Sequence, residues 1–264
     1  MRLFIEGIGL CGPGLSGWLP SLPILLGQAD YRPAPTDVPP SLLLPANERR
    51  RAPRTVKIAL AVGAEAFAAA KRDPATTATV FTSSGGDGDT IHEILTVLAS
   101  PLRELSPTRF HNSVHNAAAG YWSIATSSRA ASTSLCCHDD SFAAGLLEAT
   151  VQSVSTQLPV ALIAYDVQYP APLSHERPIG APFAVSLVLS PAPAAATVAC
   201  LELDLLPECQ PPSTLTNPAL EILRQNTPAA RALPLLAALA RGGSETVTLN
   251  YLDDMALRLR LAPP

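Results

Sequence analysis

The run Ser134-Leu135-Cys136-Cys137-His138-Asp139-Asp140-Ser141 places two thiols, an imidazole and two carboxylates side by side. Thiol, imidazole and carboxylate are the parts of a nucleophilic triad. Here they are immediate neighbours, and adjacent residues of a strand point to opposite faces, so they are not expected to converge on one substrate. Cys136 or Cys137 could still act alone as a nucleophile after a local shift. A buried structural thiol accounts for either cysteine without any chemistry. Asp139 and Asp140 open the next helix, where carboxylates are favoured by the backbone dipole alone. His111 and His115 have the i, i+4 spacing that can chelate zinc on a helix. No glutamate or third ligand accompanies them, so helix packing at an interface explains the pair. Ser83-Ser84-Gly85-Gly86-Asp87-Gly88 is a tight turn without the Gly-Lys-Ser/Thr end of a phosphate loop. Neither a metal nor a cofactor is expected.

The elements that would position these groups follow from periodicity. Arg2 to Ile8 reads as a buried strand, and the Pro-rich stretch 28–53 as a long irregular excursion. Thr55 can cap a helix from Val56 to Ala70. A strand over Thr76–Thr82 leads through the Gly-rich turn into a helix over Thr90–Leu98. One helix is expected over His111–Ala125, then a strand Ser132–Cys137. A helix from Asp139 to Val154 follows, apolar around nearly its whole circumference and so buried on both sides. Val160–Tyr165 and Ala184–Leu189 are apolar strands. The succession predicts a three-layer α/β domain with a mostly parallel sheet over residues 1–190. A Pro/Ala linker then introduces residues 191–264, with a strand Thr197–Leu205, a helix Ala229–Arg241 ended by Gly242-Gly243, and a closing hairpin. Its last strand alternates Leu257, Leu259 and Leu261 with Arg258 and Arg260.

Composition narrows the function classes. At 264 residues the chain can bury a sizeable core. Only 15% of residues are charged and 47% are apolar, which fits either a partner-facing surface or a genome rich in Ala and Pro. The net charge of −4 provides no general attraction for nucleic acid. Arg49-Arg50-Arg51 with Arg54, the one basic cluster, reads as a solvated loop. No apolar run reaches the ~18 residues that span a bilayer. The opening Met1–Gly7 lacks the apolar core and cleavage site of a signal peptide. Five cysteines without metal spacing fit a reducing, cytoplasmic setting.

Beyond these readings, Ser106-Pro107, Asn116, Ala119-Gly120, Ser132 and Ala149 follow one another in an order that resembles the β-ketoacyl synthases. Arg2–Gly9, Trp18–Gly27, the turn Ser83–Gly88 and Arg177-Pro178 with Phe183–Leu189 resemble further segments of that family. The resemblance covers about residues 1–190 and implies a thiolase-like fold, the N-terminal half of the β-ketoacyl synthase, with residues 191–264 as a shortened C-terminal remnant. It also implies that Asp139 occupies the place of the nucleophilic cysteine. The family's carbonyl-binding histidines would come from the C-terminal half, yet His92, His111, His115, His138 and His175 all precede residue 190. The chain is similar to chain-length factors, and to half-length proteins of aryl polyene clusters that share the Ser-Pro-Thr-x-Phe-His-Asn-Ser-Val-His-Asn run. That likeness implies a catalytically silent subunit that pairs with a full-length β-ketoacyl synthase and shapes its acyl tunnel. It leaves contact with an acyl carrier protein open. Candidate tunnel or interface residues are Ser84, Asp87, Ile91, Ile94, His111, His115, Asn116, Ser132 and Ser134, with the Ser132–Cys137 strand as the sheet edge at the dimer axis. Two alternatives stand beside this: a divergent acyltransferase using Cys136, Cys137 or Asp139, and an acyl-binding homodimer.

Overall fold

The computed structural model describes residues 1–101 and 103–264. Its first elements are β1 (Arg2–Gly12), β2 (Leu15–Ser16), α1 (Trp18–Leu25), α2 (Ala46–Arg51) and α3 (Arg54–Ala70). Then come β3 (Ala78–Thr82), α4 (Gly88–Leu98), α5 (Pro107–Asn112), α6 (Ala117–Thr126), β4 (Ser132–Leu135), α7 (Ser141–Thr156) and β5 (Val160–Asp166). The chain closes with α8 (Leu173–Glu176), β6 (Phe183–Ser190), β7 (Ala199–Leu206), α9 (Pro218–Asn226), α10 (Leu233–Arg241), β8 (Glu245–Tyr251) and β9 (Met255–Ala262). Two 3-10 turns, His138–Asp140 and Pro228–Ala232, precede α7 and α10.

Among the described residues the sheet has nine strands in the order β4-β3-β5-β6-β1-β7-β9-β8, with β2 folded onto β1. Only β3 pairs in parallel, with β4 and β5; the other pairings are antiparallel. The expectation of a mostly parallel sheet is therefore corrected. β5 and β6 are buried at every position. Burial on both faces produces continuous apolar runs whichever way a strand points, so the run could not reveal direction.

Segment 191–264 adds β7, β9 and β8 to the β1 side of this sheet. β5 and β8 are five strand spacings apart along it, about 24 Å if the sheet were flat. α7 nonetheless packs against β3, β5 and β8, and a helix is only ~10 Å across. The sheet must curl around α7. Phe142 and Leu146 of α7 share one core with Leu162 and Val185 beneath them, and with Leu249, Leu257 and Leu259 of the hairpin. The predicted burial of α7 on both sides holds for these residues, and the hairpin supplies the second side; Val151, further along, is exposed. The outward face of the hairpin carries Arg258 and Arg260, ion-paired to Asp204 and Glu202 of β7, so water is the natural neighbour there.

On the opposite face α3 lies directly on β1. A Cβ at Gly9 would sit 2.0 Å from the Val62 carbonyl oxygen, and one at Gly7 2.1 Å from that of Ala66. The second core forms here, where Trp122 of α6 packs on Phe67 and Phe81. Boundaries moved where capping was misjudged. α3 starts at Arg54 after Pro53, not after a Thr55 cap, because Pro53 already ends the extended segment. α9 was not anticipated, although Asn217 caps it through bonds from the Ala219 and Leu220 amides and Pro218 stands at its first position. Gly9→Ala should drive α3 away from β1 and cost about 3 kcal/mol or more. Thermal unfolding reads this, and an unchanged melting temperature would show that the close approach is not needed.

Candidate functional site

β4 ends at Leu135, and Cys136-Cys137 leads into the 3-10 turn that starts α7. The turn is pinned by Ser141, whose hydroxyl accepts the Cys137 N–H at 3.0 Å and donates to the His138 carbonyl at 2.7 Å. His138 takes a left-handed φ of 47°, uncommon for a residue with a side chain. Cys137, His138 and Asp139 line one open cleft with Asp140, Cys209, Arg231 and Asn250, so the strand alternation expected here does not apply. The strand had already ended, and a 3-10 turn does not alternate its side chains. Cys136 does point elsewhere, its thiol donating to the Ser84 carbonyl at 3.0 Å.

Convergence does not make a triad. Burial, together with the nearby Asp140 and Cys136, pushes the Cys137 thiol above its ordinary pKa, the opposite of what a nucleophile needs. Asp139 is already engaged. Arg177 donates to its Oδ1 at 2.5 Å and Arg231 to its Oδ2 at 3.1 Å, while Arg231 also reaches Asp140 Oδ1 at 2.6 Å. Burial raises the Asp139 pKa, but the Arg177 hydrogen bond and the two guanidinium charges outweigh it and hold the carboxyl below its usual range. For Asp140 burial wins over Arg231, and the pKa rises. Neither arginine was singled out from sequence as a partner of Asp139, because both lie far from it along the chain.

The remaining candidates lie in several separate settings. Ser84 and Asp87 are buried: Ser84 binds Asp166, and Asp87 accepts from Thr90 at 2.5 Å. Ile91 and Ile94 are half-buried on α4, where Leu95 and Leu98 stand exposed, as do Phe110, Val114 and Ile124 nearby in sequence. His115, Asn116, Gly120, Ser132 and Ser134 line a groove of about 510 Å³ between α6 and β4. β4 is the end strand of the sheet and pairs only with β3 among the described residues. The single helix expected over His111–Ala125 is instead α5 and α6, broken at 113–116. His115 Nε2 lies 3.1 Å from the Ser83 carbonyl, whereas His111 is exposed with its ring edge-on to Tyr121. Among the described residues no group of three His, Cys, Asp or Glu side chains is arranged to hold a metal ion.

A further buried carboxylate lies outside the sequence-predicted candidates. Asp166, at the end of β5, is fully buried and has no cation beside it among its hydrogen-bond partners. Its Oδ1 accepts from the Ser84 N–H at 2.8 Å, the Ser84 hydroxyl at 2.8 Å and the Ser83 hydroxyl at 3.2 Å; its Oδ2 accepts the Ala229 N–H at 2.9 Å. It thus ties the Gly-rich turn to the 3-10 turn that carries Arg231. The turn was visible in sequence, but its carboxylate partner lies some eighty residues on. The only hint was a charge closing an otherwise apolar strand.

The profile described as Beta-ketoacyl synthase, N-terminal domain matches residues 27–250. The chain belongs to this family. The match continues past residue 190, where the sequence resemblance faded, and takes in β7 and most of β8. No curated protein matches the chain. Among solved structures it is similar to a chain of the ketosynthase ApeO in complex with its chain length factor ApeC from Xenorhabdus doucetiae, at 22% identity and TM-score 0.74, covering 98% of this chain and 99% of that one. The ishigamide ketosynthase/chain length factor superposes at TM-score 0.72 with 14% identity, covering 100% and 99%. The module 6 ketosynthase of the bacillaene synthase from Bacillus subtilis matches at TM-score 0.58 and 13% identity, covering 86% of this chain but 45% of that one. These likenesses establish the thiolase-like fold. No helix among the described residues is long and apolar enough to cross a membrane.

Burial pushes the Asp166 pKa up to about 6, against its four hydrogen bonds. A raised folded-state pKa contributes stability that is complete below the unfolded value and is lost as pH rises through about 6. Wild type should therefore show a decline between about pH 4 and 6 that Asp166→Asn lacks. Denaturant unfolding across that range measures it, and parallel curves for the two proteins would refute the assignment.

Proposed function

We propose that this chain is a non-catalytic, chain-length-factor-like partner of a full-length β-ketoacyl synthase. It shapes the acyl tunnel during polyketide, aryl polyene or fatty-acid-type chain elongation. The observation that carries this reading is Asp139, a carboxylate held by two arginines at the place where the family resemblance puts the nucleophile. A carboxylate cannot hold an acyl group as a thioester, and one neutralised by guanidinium groups is a poor nucleophile of any kind. Of the two cysteines that line the cleft, Cys137 has its thiol pKa raised, which weighs against a divergent acyltransferase acting through it.

The side that includes β4 supports the partnership. A bare edge strand offers unpaired backbone groups, and the exposed Leu95, Leu98, Phe110, Val114 and Ile124 add apolar surface from α4, α5, α6 and the turn between α5 and α6. Pairing of that edge with a ketosynthase would satisfy both. Two of the similar structures join a ketosynthase to a chain length factor, in keeping with such a pair. Five free cysteines favour a cytoplasmic setting.

Gly120 provides a clean probe, since it faces the α6–β4 groove and a Cβ there would meet no atom. Co-expression with a full-length ketosynthase should give a 1:1 heterodimer by light scattering. Gly120→Trp should abolish it while leaving circular dichroism and melting temperature unchanged. Two proteins that elute separately would count against the reading, and a monodisperse homodimer of the chain alone would favour the acyl-binding alternative. Neither the isolated chain nor its Asp139→Cys variant should condense acyl and malonyl thioesters. Mass-spectrometric detection of an acyl group on Cys136 or Cys137 would overturn the non-catalytic assignment.

A further inference from the structure

At the start of α7 two guanidinium groups from separate parts of the chain converge on one carboxylate. Arg177 follows α8 and Arg231 lies on the Pro228–Ala232 turn. They reach opposite oxygens of Asp139, at 2.5 and 3.1 Å. Their side chains are 21% and 24% exposed, so water screens them only partly. A cleft of about 580 Å³ opens beside Asp139, Asp140 and Arg231. Each oxygen of the carboxylate thus accepts one charge-assisted hydrogen bond from a different guanidinium, the strong kind of bond that arginine makes to carboxylates.

We propose that Arg177 and Arg231 form a carboxylate-binding pair that Asp139 occupies in cis, closing the pair to carboxylate-bearing ligands. Nothing in this depends on the proposed pairing with a ketosynthase. The other charges facing the pair set its strength. Asp140 accepts from Arg231 at 2.6 Å and stays in place if Asp139 is removed, so Arg231 keeps one partner. His138 Nδ1 lies 3.7 Å from Asp139 Oδ1 and adds positive charge only when protonated. Asp253 lines the same cleft and disfavours anions. A ligand thus meets one free and one half-committed guanidinium, which keeps its affinity weak.

Asp139→Ala removes the carboxylate and leaves room for formate, so formate and acetate are the probes. The variant should melt below wild type, and formate should restore most of the difference. Wild type, whose pair is filled, should not respond to the same concentration. Adding Arg177→Gln to Asp139→Ala should abolish the recovery. No recovery with formate or acetate, or an equal response in wild type, would overturn the proposal. Equal recovery with chloride at matched ionic strength would mean an adventitious ion only, and would overturn it too. Should Asp139→Ala fail to fold, the Asp139 carboxyl carbon can be titrated by NMR in wild type and in Arg177→Gln. Its pKa should start below the ordinary value and rise in the variant; an unchanged pKa would overturn the pair.

Discussion

The ion pair between Asp139 and the two arginines joins three separate parts of the molecule. α7 begins there, Arg177 brings the segment between β5 and β6, and Arg231 brings the turn that leads into α10. Each of these segments would otherwise present a charge to a half-buried site. Held together, the charges neutralise one another and α7 starts in a fixed place. Asp166 makes a second tie on the same 3-10 turn, through the Ala229 amide, and reaches back to the Gly-rich turn before α4. Two carboxylates thus anchor the turn from two directions. One is compensated by cations and the other by backbone and hydroxyl donors alone.

That anchoring matters because the sheet curls. A helix touched by β3, β5 and β8 needs the far end of the sheet to come round to it, and the apolar faces of Leu249, Leu257 and Leu259 provide the drive. The outward side of the same strands is an ion-pair ladder between Arg258 or Arg260 and Glu202 or Asp204. Such exposed pairs contribute little stability. Their part is to make that face content in water, so the hairpin ends the stack of layers there. Exposed apolar side chains stand on α4, α5, α6 and the turn between α5 and α6, and β4 pairs only with β3 among the described residues.

Much of this was legible from residues alone. The apolar runs of β1, β3, β5 and β6 placed the core strands, since continuous burial leaves a continuous apolar record. The Leu/Arg alternation of residues 257–261 foretold a strand with one wet face. The Gly-rich turn, the following helix and the family order around Asn116, Ser132 and Ala149 marked the fold. Strand direction was hidden because burial on both faces removes the alternation that distinguishes arrangements. The break between α5 and α6 falls on Ser113-Val114-His115-Asn116, all of weak helix propensity, which the apolar periodicity on either side masked.

The sequence by itself determined which residues are apolar, where the core strands fall, and that a carboxylate, Asp139, follows the paired cysteines before α7. These follow from side-chain chemistry and local spacing, which each short stretch carries with it. Only the tertiary structure decided that Asp139 is clamped by Arg177 and Arg231, that Asp166 holds the Gly-rich turn, and that the hairpin roofs α7. Those contacts join residues tens of positions apart, brought together by the curl of a sheet whose strand order no local pattern records.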